Sequence, residues 1–192
     1  MKLKKKEIKM EEKIKKEKAT GKSFKAIFVG EKVFSNSKEA FTLYDTSRFG
    51  EPKEGRIFYS IMEAVYLAEK NKLDVYIKKK KLSLNKLIEK AKEIEKNFHT
   101  RYTVFKDMRN RGYIVKTALK FGADFRVYER GVKPGEEHAK WILYPVYECS
   151  VLTWHEFAAK NRVAHSTRKN LLIGVVDDEN DVTYYEIKWL RP

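Results

Sequence analysis

Apolar and polar positions change rhythm several times along the chain, and each change marks an element. The first twenty residues alternate Lys and Glu with few apolar positions, which reads as a basic N-terminal arm, a frayed helix or a disordered tail. From Phe24 the run F-K-A-I-F-V-G alternates as a half-buried strand does, with Gly30 closing it. Ser37 is placed to cap a short helix through Tyr44, D-T-S-R-F-G-E-P-K-E-G reads as a loop, and R-I-F-Y as a brief strand. Ser60 and Glu63 form the S-x-x-E capping box of a helix over Ile61–Lys70. L-D-V-Y-I is strand-like. Ser83 then caps a helix from Leu84 to about Phe98, with Leu84, Leu87, Ile88, Ala91 and Ile94 on one face.

A second unit begins near His99. Residues 105–121 place Phe105, Met108, Val115, Ala118 and Leu119 at helical spacing, and Gly122 follows as the expected C-terminal cap. Gly112 inside that run costs a helix about 1 kcal/mol. The strand A-D-F-R-V-Y-E, the turn G-V-K-P-G and the strand W-I-L-Y-P-V-Y-E come next. Thr153 and Glu156 make a second capping box, for a helix through roughly Val163. L-L-I-G-V-V and V-T-Y-Y-E-I-K-W-L flank D-D-E-N-D as a hairpin. The expected order is α-β-β-α-β-β. The chain therefore reads as an α/β protein of mixed (α+β) sheets in two small domains, residues 21–98 and 99–192, after an arm over 1–20.

Composition narrows the function. With 192 residues, 42% apolar and 13% aromatic, the chain can bury a core in each domain. No apolar run approaches the length of about 20 residues needed to span a bilayer, and the lysine-rich start lacks the apolar core of a signal peptide. A single cysteine, Cys149, rules out an internal disulfide. The expected location is the cytoplasm. The net charge of +15 is distributed unevenly: residues 1–22 hold ten Lys against four Glu, whereas residues 177–192 are net acidic. Arg is concentrated in the later half, and Arg suits phosphate and base recognition better than Lys does. A polyanion partner follows from this, against the bland alternative of a solubilising, heat-adapted surface.

Candidate chemistry lies mostly between residues 121 and 170. The chain has no glycine-rich phosphate loop, nucleophile elbow or H-E-x-x-H. Its four His, at 99, 138, 155 and 165, lack ligand spacing, so no metal site and no cofactor are expected. Asp124 and Glu148 are the acids a metal-dependent nuclease would use, but no close acid-plus-lysine pair accompanies them. Tyr128 alternates in strand parity with Arg126 and Arg130, opposite Phe125 and Val127. If the latter two face the core, Tyr128 lies on a solvent- or ligand-facing side beside two cations, which would favour its ionised form. His138 ends a Gly/Pro turn. Arg162, His165, Arg168 and Lys169 cluster about a helix end, where they either complement the helix dipole or clamp a phosphate. These features alone reach a basic α/β nucleic-acid binder that is a candidate nuclease.

The run R-G-Y-I-V-K-T-A-L-K-F-G-A-D-F-R-V-Y-E-R-G, the P-G-x-x-H turn and H-S-T-R-K-N-L-L together resemble the archaeal tRNA-splicing endonucleases. The resemblance is close from about Arg109 to Trp189, looser before that, and does not include the arm. It implies a C-terminal domain of nuclease-like, restriction-endonuclease-like fold. It also implies metal-independent cutting of precursor tRNA at both splice sites within a bulge–helix–bulge. The family's catalytic tyrosine, histidine and lysine fall on Tyr128, His138 and Lys169. Its base-gripping arginine falls on Arg162, with Trp189 or Arg191 as stacking partner; Arg126 and Arg168 are further candidate RNA contacts. The resemblance also implies a homotetramer, a dimer of dimers. In it the acidic turn Asp177, Asp178, Glu179 and Asp181 docks into a basic pocket of another dimer, and the final strand pairs across a two-fold axis. Competing readings are a structural subunit whose partner catalyses, which the filled triad disfavours, and a non-catalytic module that holds structured RNA by shape.

Overall fold

In a computed structural model the chain is described for residues 23–118, 122–132, 134–135, 137–138 and 139–190. The arm expected over residues 1–20 lies outside the described residues, as does Arg191. Two compact units are present. One comprises the described chain up to Lys90 apart from Thr46–Arg48; the other comprises Thr46–Arg48 and everything from Ala91 onward.

The first unit is a six-stranded sheet. Its strands are β1 (Phe24–Val29), β2 (Lys32–Ser35), β3 (Glu51–Lys53), β4 (Arg56–Tyr59), β5 (Leu73–Ile77) and β6 (Lys80–Lys81), in the order β3-β4-β2-β1-β5-β6. Helices α1 (Lys38–Ser47) and α2 (Ile61–Glu69) are inserted between them. Ser37 does cap α1, its hydroxyl accepting the Ala40 N–H at 3.3 Å. The expected loop over residues 45–55 is corrected: α1 runs on to Ser47, and Glu51–Lys53 pairs with β4. A three-residue edge strand containing Pro52 carries no alternating pattern by which to find it.

The Ser60–Glu63 capping box is present in full, and α2 buries every residue from Ile61 to Leu67. Glu63 is buried with them. One carboxylate oxygen accepts the Gly50 N–H at 2.9 Å and the other accepts the Ser60 N–H at 3.0 Å. A carboxylate satisfied by two backbone donors ties the chain just before β3 to the start of α2.

Helix α3 (Leu84–Ile94) follows β6 with Leu87 and Ala91 buried, as the apolar spacing requires. It stops short of the expected Phe98. Asn97 takes a left-handed conformation at φ 53°, and Phe98 opens a new helix, α4 (Phe98–Asn110).

The second unit corrects the sequence reading in one important place. Residues 105–121 are not one helix. Helix α4 ends at Asn110, and Ile114–Ala118 is strand β7. Gly112, at φ +87°, supplies the left-handed turn, and the Tyr113 N–H reaches back to the Met108 carbonyl at 3.1 Å, closing the helix end. The glycine taken as a weak point is the helix stop, and the β-branched residues after it favour the strand. Gly122, read as a cap, instead lies in the turn before β8 (Ala123–Tyr128).

Strands β9 (Trp141–Tyr147), β10 (Asn170–Val176) and β11 (Val182–Ile187) complete the order β11-β10-β9-β8-β7. Only β9 and β10 are parallel, and the crossover between them carries α5 (Trp154–Ser166), opened by the Thr153–Glu156 box. The unit is thus α-β-β-β-α-β-β.

The two helices cover opposite faces of this sheet. Ala164 of α5 joins Ile142, Tyr144, Leu171 and Ile173 in one buried cluster. On the other face the Phe105 ring meets Phe125 at 5.9 Å. At Gly174 a Cβ would sit 3.1 Å from the Val104 side chain and 3.2 Å from that of Tyr184, so any larger residue there would require both neighbours to give by a few tenths of an ångström. The Tyr184 hydroxyl then donates to Asp107 at 2.8 Å, fastening the edge strand β11 to α4. Among the described residues no helix is long and apolar enough to cross a membrane.

Candidate active site

Three strand ends meet at one end of the five-stranded sheet. Strand β8 runs into that end and stops at Tyr128, while β9 and β10 both start from it. The Lys140 N–H donates to the Val127 carbonyl and the Asn170 N–H to the Lys140 carbonyl, each at 3.0 Å. Main-chain bonds therefore fix a row through residues 127, 140 and 170. Tyr128 and Lys169 flank this row two strands apart, a backbone separation of about 10 Å at the usual strand spacing. His138 stands two residues before the row on the loop that joins β8 to β9, exposed and at the same sheet end. Tyr128 and Lys169, 41 positions apart in sequence, converge because the β9–α5–β10 crossover returns the chain parallel to itself.

Strand parity assigns the face. Arg126 pairs with Ile142, and Ile142 pairs with Leu171, so Arg126 lies on the α5 side of the sheet and Tyr128 with it. Tyr128 shares the face of Arg126 as expected, but it is not solvent-facing: only 4% of it is exposed. Strand β8 is flanked on both sides, by β7 and β9. Arg130 does not stand beside it. Its guanidinium lies 4.9 Å from the centre of the Tyr113 ring.

The cations nearest the phenol come from three strands or their approaches. Lys116 of β7 is directly opposite Arg126, and Ile114 opposite Tyr128. Lys116 is buried at 6% exposure and went unnoticed while residues 105–121 were taken as a helix; the strand period would have put it on this face. The Lys169 ammonium is held below the ordinary lysine range, mainly because burial disfavours its charge and further because Arg126 repels it. It donates to the Thr167 carbonyl at 2.7 Å, at the C-terminal pole of α5. Lys140 occupies the same row but is engaged elsewhere. Its ammonium bonds Glu129 at 2.7 Å, which raises its pKa, and lies over the Trp141 ring at 4.7 Å.

Lys169 is delivered by an unusual helix stop. Arg168 occupies the left-handed position at φ 56° where glycine is the common choice. The Arg168 N–H reaches the His165 carbonyl and the Lys169 N–H the Ala164 carbonyl, both at 2.9 Å. Arg168 and Arg162 are exposed. Arg162 is one turn before His165 on α5, and the His165 ring lies 4.3 Å from that of Trp189, which is 42% exposed.

The acidic turn is held by its own side chains. Asp177 accepts the Asp181 N–H at 2.8 Å, and Asp178 accepts from the Tyr147 hydroxyl, pushing that phenol up to about 12. Glu179 and Asp181 are exposed. Asp124, one of the acids considered for a metal site, is instead paired with Arg101 at 2.7 Å on partial burial that raises its pKa.

A family model for the N-terminal domain of tRNA intron endonucleases matches residues 24–88, and one for their catalytic C-terminal domain matches residues 98–184. The chain belongs to the tRNA intron endonuclease family. Its second unit is that family's catalytic domain, and the protein is an enzyme. The chain is 43% identical over 163 residues to a tRNA-splicing endonuclease of Thermococcus kodakarensis, covering 84% of this chain and 95% of that protein. It is 46% identical over 138 residues to one of Nanoarchaeum equitans, covering 69% and 88%. A Methanothermobacter thermautotrophicus tRNA-splicing endonuclease is 39% identical over 150 residues, with 78% and 87% covered.

Proposed function

We propose that the chain excises introns from precursor tRNA, cutting both splice sites in a bulge–helix–bulge by transphosphorylation. The observation that carries this reading is the row through residues 127, 140 and 170, which holds a buried phenol and a partly buried ammonium at one sheet end. The substrate's own 2′-hydroxyl is the nucleophile. Tyr128 takes its proton, the 2′ oxygen bonds to phosphorus, and His138 gives a proton to the departing 5′ oxygen. Lys169 stabilises the charge that develops on the phosphorane oxygens. The products are a 2′,3′-cyclic phosphate and a 5′-hydroxyl.

The balance of this reaction requires only the substrate hydroxyl and two proton carriers. Incubation with an intron-containing precursor in EDTA is expected to give full cleavage with those two end groups, and His138→Ala to abolish it. A strict need for divalent metal, or 3′-hydroxyl and 5′-phosphate ends, would sink the proposal.

Assembly is proposed as a homotetramer. Strand β11 is an edge strand with Tyr185 57% exposed, a surface that invites pairing with a second copy. The Asp177–Asp181 turn is a compact acidic knob on a basic chain. Because Asp177 accepts the Asp181 N–H and Asp178 the Tyr147 hydroxyl, the exposed Glu179 and Asp181 are the positions at which to reverse charge without reshaping the turn. The Glu179→Lys/Asp181→Lys variant is expected to run as a dimer in light scattering; a retained tetramer refutes the docking role.

A further inference from the structure

The six-stranded sheet buries one face and leaves the other open. Along β1, Phe24, Ala26 and Phe28 point inward, while Lys25, Ile27 and Val29 point out, with Ile27 44% and Val29 61% exposed. Strand register carries one row across the open face. Phe58 pairs with Phe34, Phe34 with Ile27 and Ile27 with Tyr76, so three aromatic rings and one aliphatic side chain cross four neighbouring strands. Phe34 and Phe58 are in contact at 5.5 Å between ring centres.

Cations are set along this row. The Arg56 guanidinium lies 4.9 Å from the centre of the Phe34 ring, and the Lys25 ammonium 5.6 Å from that of Tyr76. A pocket of about 460 Å³ opens here, lined in part by Lys25, Phe34, Arg56, Tyr76, Lys78 and Lys79. Among the described residues no carboxylate lines the pocket; Glu51, paired with Phe58, and Asp74, paired with Lys25 and bonded to Lys81 at 2.7 Å, stand at its margins. An open sheet face with aromatic rings in a row, bordered by four cations, has the composition of a base-stacking platform with phosphate contacts at its rim. A purely apolar partner would leave those charges desolvated, and a purely acidic one, such as the Asp177–Asp181 turn of a second copy, would leave the aromatic row unmatched. A polyanion carrying flat apolar rings meets both demands.

We propose that this face of the first unit binds a single-stranded segment of RNA, with bases stacked on Phe34 and Tyr76 and phosphates held by Lys25, Arg56, Lys78 and Lys79. The inference rests on the reading that the substrate is RNA, and it assigns a contact to the unit that holds none of Tyr128, His138 and Lys169.

The test is an anisotropy titration of the full chain with a labelled, unbulged single-stranded RNA of about 12 nucleotides, at several salt concentrations. The variants are Arg56→Ala/Lys79→Ala, Tyr76→Leu and Lys92→Ala, each checked for an unchanged melting temperature. The double variant is expected to raise Kd about 10-fold or more and to lower the salt slope by about 1.4, about 0.7 for each lost phosphate contact. Tyr76→Leu keeps the apolar bulk but removes the flat ring, and is expected to weaken binding about 5-fold or more. Lys92→Ala, at an exposed lysine of α3 outside the face, is expected to bind as the unaltered chain does. The titration reads binding and not cleavage, so the result stands whether or not the cleavage mechanism does. Unchanged RNA affinity in both face variants overturns the proposal. A shift in oligomeric state at unchanged RNA affinity also overturns it, by making the face a protein interface.

Discussion

Replacing Tyr128 by Phe is expected to slow single-turnover cleavage of a bulged precursor by about 10²–10⁴-fold, the usual weight of a positioned general base. The substitution removes one oxygen and keeps a ring that is 4% exposed in the native protein, so the packing of the ring is preserved. Melting by circular dichroism is expected to match that of the unaltered chain, which separates lost chemistry from lost fold. His138→Ala should give a comparable loss from an exposed loop. A Tyr128→Phe enzyme that cuts at the native rate would remove the phenol from the mechanism and leave the site as a binding surface.

The second large effect is expected at Lys169, where activity and stability should move in opposite directions. Its ammonium is depressed below the ordinary lysine range by burial first and by Arg126 second. The folded protein therefore holds this proton less tightly than the unfolded chain does. Between the two pKa values the unfolded state binds more protons, and stability rises with pH there. Below the depressed value the charged form costs stability in full; above the unfolded value the cost is gone. Lys169→Met is accordingly expected to lower cleavage by about 10²–10³-fold, as removal of an oxyanion-stabilising group does. It is expected to raise the melting temperature at neutral pH, with the gain shrinking as pH approaches the ordinary lysine value. Cleavage at the native rate, or a stability gain that grows with pH, would contradict this account. The strain is typical of sites where function opposes stability.

Much of the fold was legible because local rules were unopposed. Both capping boxes, at Ser60–Glu63 and Thr153–Glu156, start helices where the spacing says they should. The D-D-E-N-D turn joins β10 to β11 as the flanking β-branched runs require. The failures arose where local signals compete. Val115 and Ala118 continue the helical spacing of Phe105 and Met108, and nothing in periodicity alone says that Gly112 breaks it. The break is a tertiary outcome: Ile114–Ala118 gains a full ladder with β8 that a longer helix would forgo. Lys116 stayed hidden for the same reason.

By itself the sequence determined many of the element types and the basic character of the chain, because those follow from side-chain chemistry and short-range spacing. Family membership was legible too, through motifs spread over the second unit. Only the tertiary structure decided that Tyr128 is buried rather than exposed, that Lys140 is paired with Glu129, and that Phe34, Ile27 and Tyr76 form one row. Each of these depends on which strand lies beside which, and at what register. Register is set by long-range pairing and helix cover, information that no window along the chain contains.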